Sequence, residues 1–455
     1  MDQHRGELEE LIARTAAEAA IPGAAVAVVH EGREHLFTTG VTSVDAPAPV
    51  TADTLFMIGS TTKTVTATAV LSLVAEGRLD LDAPIADLLP ELRLSDPGAQ
   101  RALTPRHLLT HTGGFEGDIP DDESDWAADA LARSIAEYGT LPQHTAPGTS
   151  FSYSNAGFRL LGRLVEVLDG VDYDIAVRHR VLEPLGMADS FFLPWQVATR
   201  PHVVGHEAQP DGSPAVVHTW GLGRSALPEG GLVSSIADQA RYLRFHLDGT
   251  AAGRAPLPDE VRVDMQRRHA DGAVPFDEVG LPWLRVHQFG TTAVTHGGNI
   301  AGIQRSTMTL VPEAGLGVTV LANSGAGGAL GAAVDDWCLR TLLGREPDPP
   351  RAIRPRDDAA LAPYCGRFDA GTWGIELSAE DGMLRAAFFF SEQAADEERV
   401  LPPPLRLGFS AADEVARPEA PQAAFGRFDR DRDGAVVRLR TQGRTLRRVD
   451  DEAGA

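Results

Sequence analysis

Residues 61–75 are apolar or small on nearly every side of a helical projection, which predicts a helix buried inside a domain and ended by Gly77. Patterns of two kinds alternate around it. "MDQHRGELEELIARTAAEAAIPG" reads as an acid-rich surface helix broken at Pro22-Gly23. The apolar run 24–29, a turn at Glu31-Gly32 and "REHLFTTGV" form a hairpin. A second helix starts near Ala156, with Leu160, Leu161, Leu164, Val165 and Leu168 on its apolar face. "TTAVTH", "QRSTMTLVP" and "GVTVLAN" read as strands. "GREPDPPRAIRPRDD" then concentrates proline and charge without apolar periodicity. Beyond it "TWGIELSAEDGMLRAAFFF" alternates around Trp373, Ile375 and Leu377, turns at Asp381-Gly382 and resumes as a strand. The expected organisation is one large α/β (α+β) unit over 1–345, a linker over 346–358 and an all-β domain over 359–455.

Composition narrows the classes. A chain of 455 residues, 43% of them hydrophobic, can bury a large core. Its 41 basic and 64 acidic residues leave a charge of −23, a field that repels phosphate backbones and anionic lipid, so neither nucleic acid nor membrane is an expected partner. Cys338 and Cys365 are too few for a disulfide framework or a Cys-rich metal site. Acids stand where a secretory signal carries its basic start, no apolar segment follows before Pro22-Gly23, and no lipoprotein or twin-arginine address is present. The expected location is the cytoplasm, out of reach of a cell-wall substrate.

Lys63 is the only lysine among the 41 basic residues, and it falls in the buried helix. Ser60 lies three residues earlier, so on a helix the two side chains meet. A serine hydroxyl needs a neighbour to take its proton, and a lysine held in a low-dielectric site can lose its own proton and do so. Arginine stays charged and cannot. A lysine snorkelling out of a core helix fits the same pattern. Tyr153 and Asn155 stand at a loop-to-helix junction in "SFSYSNAGF". Beside a buried ammonium a tyrosine pKa can fall far enough for general-base work, and Asn155 can hold a substrate amide or the lysine. A simple N-cap and a half-buried aromatic also fit. In "THGGN", Gly297-Gly298 lets backbone pass close to a ligand, and His296 either donates to a developing charge or is a satisfied strand histidine.

Together, Ser60-Thr61-Thr62-Lys63, Tyr153-Ser154-Asn155 and His296-Gly297-Gly298, in that order, resemble the serine β-lactamase and penicillin-binding-protein superfamily, in the branch of class C β-lactamases and their esterase and peptidase relatives. "LTPRHLLTHTGGFEG" and "LPEGGLVSSIADQARYL" extend the resemblance over most of residues 5–345. It implies a β-lactamase/transpeptidase-like domain, a central antiparallel sheet with flanking helices and a helical lobe. It also implies roles. Ser60 is the acylated nucleophile, Lys63 and Tyr153 share the general base, Asn155 orients Lys63 and substrate, and His296 lines the opposite wall. Backbone N–H groups of Ser60 and Asn299 form the oxyanion hole, and Gly231 and Leu232 line the cleft with Gly298. "LAPYCGRFD" and "GMLRAAF" resemble the lipocalin-like β-barrel that follows the catalytic domain in some relatives. Many β-lactamases carry lysine where this chain has His296, so attraction for a penicillin carboxylate is weakened. Ester, thioester or peptide acyl donors are expected instead. The activities implied are a penicillin-binding-protein-type thioesterase that releases and macrocyclises nonribosomal peptides, a cytoplasmic esterase or D-stereospecific peptidase, or a non-catalytic ligand-binding member of the fold. The partners implied are a small-molecule or peptidyl acyl substrate and a peptidyl carrier protein. No cofactor or metal is implied.

Other signals are set aside. "DRDRDG" imitates a calcium loop, but Arg440 stands at its twelfth position, and a hairpin turn is expected. His202 and His206 lie in a turn-rich segment with no further ligand placed, and His111 reads as structural. Residues 425–448 carry eight arginines against three aspartates, net +5; they read first as solvated strand faces, with Arg447 the candidate should one reach the cleft to bind a substrate carboxylate or a carrier's phosphate. The acidic run "EGDIPDDESDW" is expected to overhang the cleft and disfavour anionic donors.

Overall fold

The computed structural model describes residues 1–251, 254–390 and 401–449. Strand Gly23–His30 accounts for the layering. It lies between Arg33–Gly40 and Leu316–Ala322, inside a sheet covered on both sides, so both of its faces are apolar. Val26 and Val28 join one core with Leu8, Ile12, Val318 and Trp337, while Ala25, Ala27 and Val29 join the other with Phe56, Val65 and Phe245. The full sheet runs Arg33–Gly40, Gly23–His30, Leu316–Ala322, Gln304–Val311, Thr291–Ile300, Leu284–Gln288, Glu278–Val279, Ala270–Asp271, with antiparallel neighbours throughout. Helix Arg5–Glu18 seals the first face, burying Leu8, Ile12 and Ala16 at four-residue spacing, together with Gly327–Trp337. Helix Ile236–Asp248 and the helical lobe cover the second.

Helix Thr62–Ala75 runs through the middle of that lobe and is buried from Thr62 to Leu73. Its threonines tolerate burial because their hydroxyls are satisfied. Thr64 and Thr68 donate to the carbonyls of Thr61 and Thr64 at 2.8 and 2.9 Å, and Thr66 and Thr68 meet the hydroxyls of Tyr173 and Tyr242 at 2.7 and 3.0 Å. Gly77, at φ +70°, ends the helix, and the Arg78 N–H returns to the Leu73 carbonyl at 2.9 Å.

Eight strands close a barrel: Gly366–Asp369, Trp373–Glu380, Met383–Phe390, Leu405–Phe409, Glu414–Arg417, Ala420–Arg430, Val436–Thr441 and Arg444–Val449. Phe368, Ile375, Leu384, Leu407, Phe409, Phe428, Leu439 and Leu446 fill its interior. Alternation puts the neighbouring arginines outside, which explains the basic tail. Arg427, Arg430 and Arg440 pair with Glu414, Asp413 and Asp429 on the barrel itself. "DRDRDG" is a hairpin turn in which Asp431 Oδ1 accepts the N–H groups of Asp433 and Ala435. The proline-rich segment is pinned along the barrel: Arg351 pairs with Glu414 at 3.0 Å, and the Arg354 N–H reaches the Phe409 carbonyl at 3.0 Å. Residues 391–400 and 450–455 of the expected β domain lie outside the described residues.

Phe428 packs on the rings of Tyr364, Phe368 and Phe409 at centroid distances of 4.8, 5.9 and 6.3 Å. Phe428→Ala is expected to cost about 3–5 kcal/mol in denaturant unfolding. A loss under about 1 kcal/mol would mean that this aromatic core does not hold the barrel together.

Candidate active site

Ser60 sits in the Gly59–Thr61 turn between strand Leu55–Met57 and the buried helix, half exposed, while Lys63 in the first helical turn is fully buried. The Lys63 Nζ lies 3.1 Å from Ser60 Oγ, 2.7 Å from Asn155 Oδ1 and 2.6 Å from the Glu229 backbone oxygen. All three partners are uncharged. Burial therefore dominates and lowers the Lys63 pKa from 10.5 to about 7; the Glu229 and Asp118 carboxylates oppose this, and Arg444 and Arg159 add to it.

Asn155 precedes helix Ala156–Asp169 but does not cap it with its side chain. Ser154 Oγ takes that bond, accepting the Gly157 N–H at 2.9 Å, which frees Asn155 to face Lys63. The Asn155 Nδ2 donates to Asp118 Oδ1 at 3.1 Å.

Tyr153 departs from expectation. Burial raises its phenol above the ordinary value, and a hydrogen bond to Ser60 and the Arg444 charge only partly offset this. The phenol stays protonated at neutral pH, so the lowered tyrosine pKa expected from a neighbouring ammonium does not arise. The desolvation of a phenolate outweighs the attraction of one cation. The ring stacks on His111 at 4.4 Å, and His111 Nδ1 accepts the Ser154 N–H at 3.0 Å, so this histidine fixes the tyrosine as well as ending a helix.

His296 is buried and held down to about pKa 3, first by desolvation and then by Lys63. Its Nδ1 lies 3.0 Å from the Gly297 carbonyl, which keeps the proton there and leaves Nε2 as a lone pair with no partner among the described residues. The ring is uncharged, so it offers no cation to attract a carboxylate, and Nε2 is itself buried. The Leu232 side chain does not wall the cleft. It is fully buried in the main core, because the Leu232 N–H is tied to Thr62 Oγ1 at 3.1 Å and its carbonyl accepts from Ile58. Glu229 touches the lysine in its place, its carboxylate turned to Arg159 at 2.8 Å.

The Thr291–Ile300 strand passes directly over the Ser60 turn. A β-carbon on Gly298 would lie 1.8 Å from the Ile58 oxygen, and one on Gly59 2.8 Å from the Asn299 nitrogen. Only glycine at both places lets the strand and the Ser60 turn approach this closely. Ser306 Oγ secures the turn by donating to the Ile58 carbonyl at 2.6 Å.

The barrel enters the site as well. Its hairpin turn at Gln442-Gly443 receives the Tyr153 N–H on the Gly443 carbonyl at 3.0 Å. The arginine that reaches in is Arg444, its guanidinium 4.9 Å from the Tyr153 ring and paired with Asp118 at 2.8 Å. Arg447, the expected candidate, is turned to the His144 carbonyl at 3.2 Å instead. Half of the acids in the run are paired with arginines, Asp118 with Arg444, Asp121 with Arg159 and Asp125 with Arg133. Its expected repulsion of anionic donors is thereby reduced. His206 bridges the Val44 N–H and the Asn323 carbonyl, and His202 meets the Arg200 carbonyl, so both are structural.

A family model described as beta-lactamase matches residues 8–337. The chain belongs to the beta-lactamase family. Members of this family are serine hydrolases. Within the family it is 34% identical over 353 residues to penicillin-binding protein 4 of Amycolatopsis lactamdurans, covering 75% of this chain and 92% of that one. The crystal structure of SurE matches 98% of this chain and 100% of its own at TM-score 0.75 and 27% identity, and a structure of SurE with D-Leu matches 99% at 28% identity. The octameric penicillin-binding protein homologue from Pyrococcus abyssi shares the fold over 98% of this chain, TM-score 0.64, and a class C beta-lactamase over 76%, TM-score 0.62. Among the described residues no helix is long and apolar enough to cross a membrane.

Because this beta-lactamase-family chain holds one lysine, selective carbon-13 labelling at lysine Cε gives a single resonance. It is expected to titrate near pH 7. Between pH 7 and 10.5 the unfolded chain then binds the extra proton, so stability is expected to rise with pH across that window. A midpoint above 10 in the folded protein would remove Lys63 as a base.

Proposed function

We propose that this protein is a serine acyltransferase of the penicillin-binding-protein-type thioesterase kind, which takes a peptidyl ester or thioester onto Ser60 and releases it to an amine of the same peptide, closing a ring. The observation that carries the serine chemistry is the Lys63 Nζ at 3.1 Å from Ser60 Oγ with a pKa lowered to about 7. Neutral Lys63 has two N–H bonds, which suit the shorter contacts to Asn155 and Glu229 and leave its lone pair for the serine proton. Ser60 Oγ then attacks the acyl carbonyl, whose oxygen gains charge between the N–H groups of Ser60 and Asn299. The leaving alcohol or thiol takes a proton from Lys63 or through the Tyr153 phenol. An incoming amine repeats the sequence in reverse, with water as the competing acceptor.

Two observations favour this substrate class. A neutral His296 offers no cation to a β-lactam carboxylate. SurE, similar over the barrel as well as the sheet, has been solved with D-Leu, which supports a D-residue at the end of the acyl donor. A carrier-bound peptide in the cytoplasm is the donor that this reading implies. Hydrolysis of a small ester or D-peptide is the second reading, since the same groups serve when water enters. A binding protein without turnover is disfavoured by the assembled serine–lysine pair.

Intact mass after exposure to a nitrophenyl ester, a peptidyl thioester ending in a D-residue and a β-lactam tests the proposal. We expect a transient adduct on wild type with the first two, none on Ser60→Ala, a cyclic product from the thioester, and a rate about 10²–10⁴-fold lower in Lys63→Arg. Linear acid as the sole thioester product turns the assignment to hydrolase. No adduct with any donor defeats the serine mechanism.

A further inference from the structure

We propose that Arg444 of the barrel is a positioning residue for Lys63, acting through Asp118 and Asn155, so that the C-terminal barrel is part of the catalytic apparatus. The inference rests on the reading of Lys63 as the base for Ser60.

The connection is continuous. Arg444 Nη2 lies 2.8 Å from each oxygen of Asp118, and Nε lies 3.3 Å from Oδ2. Asp118 Oδ1 accepts Asn155 Nδ2 at 3.1 Å, and Asn155 Oδ1 accepts Lys63 Nζ at 2.7 Å. A carboxamide has fixed polarity: held by a carboxylate on its NH₂ side, it must turn its oxygen to the lysine. Without Asp118 the amide is free to flip and point its own donors at the amine. Arg444 in turn holds Asp118, because a bidentate pair fixes the carboxylate plane.

Hydrogen bonds between the barrel and the larger domain set the place of the guanidinium. Gly443 accepts from the Tyr153 N–H at 3.0 Å and donates to the Val274 carbonyl at 2.8 Å, while Thr445 Oγ1 donates to the Phe151 carbonyl at 2.6 Å. The arginine fork is filled by Asp118, so it is engaged before any substrate arrives.

The two charges act on Lys63 with opposite signs. Asp118 favours the ammonium and Arg444 disfavours it. The other groups facing the amine are Glu229, neutralised by Arg159 on the Ala156–Asp169 helix, the protonated Tyr153, and the uncharged His111 and His296. Loss of Arg444 leaves Asp118 uncompensated and raises the Lys63 midpoint. Loss of the Asp118 charge leaves Arg444 uncompensated and lowers it. General loosening of the site would instead admit water and raise the midpoint in both variants.

The lysine carbon-13 resonance, followed in the full chain, decides the matter without any acyl donor. Arg444→Met is expected to move the midpoint up and Asp118→Asn down, each by about 1.5 pH units, the effect of a unit charge roughly 8 Å away at an effective dielectric near 20. The double variant should return towards wild type. With a nitrophenyl ester that labels Ser60, the acid limb of kcat/KM should follow the same shifts, with kcat reduced and KM held. Upward movement in both single variants, or none in either, overturns the proposal, as does a rise in KM alone on loss of Arg444. If Arg444→Met does not fold, the downward shift in Asp118→Asn carries the test. Absence of any Ser60 adduct on wild type would defeat the serine reading, while the titration still reports on the connection.

Discussion

An amine taken out of water must have every hydrogen-bond direction filled, yet a carboxylate in contact would restore its proton. The site around Lys63 meets both conditions. A serine hydroxyl, an amide oxygen and a backbone carbonyl surround the nitrogen. The nearest acids are present but turned away, Glu229 to Arg159 and Asp118 to Arg444. Each of these pairs keeps a negative charge close enough to moderate the lysine and far enough to leave it near neutrality.

This constraint draws on every part of the molecule. The turn after Leu55–Met57 presents Ser60, the lobe helix presents Lys63, and the loop before Ala156–Asp169 presents Tyr153 and Asn155. The edge of the Thr291–Ile300 strand brings the Asn299 amide over the Ser60 turn, at the cost of any side chain at Gly59 and Gly298. The barrel hairpin adds the Arg444 charge beside the Tyr153 ring.

Much of this was legible in local pattern. The buried helix follows from continuous apolar and small residues, and the meeting of Ser60 with Lys63 follows from a spacing of three on one helical face. The barrel strands follow from alternation, and the turn at 431–435 from its aspartates and Gly434. Asn155 was ambiguous because an N-cap and a lysine ligand occupy the same position in sequence, and Ser154 resolved it by taking the cap. The sign of the Tyr153 shift was not legible, since it depends on how much water the packed rings of His111 and Tyr153 exclude. Arg447 and Arg444 are indistinguishable as arginines on one strand. The hairpin turn decides which of them faces Tyr153.

By itself, the sequence determined the pairing of Ser60 with Lys63, the order of the three motifs, the family they belong to and the all-β character of the tail. These depend on neighbours along the chain, where helix and strand geometry are known in advance. The tertiary structure alone decided the protonation states, the tautomer of His296, the retreat of Leu232 into the core and the reach of Arg444 to an aspartate 326 residues away. Burial and Coulomb interactions act through space, and no spacing in the chain encodes which distant groups will share a volume from which water is excluded.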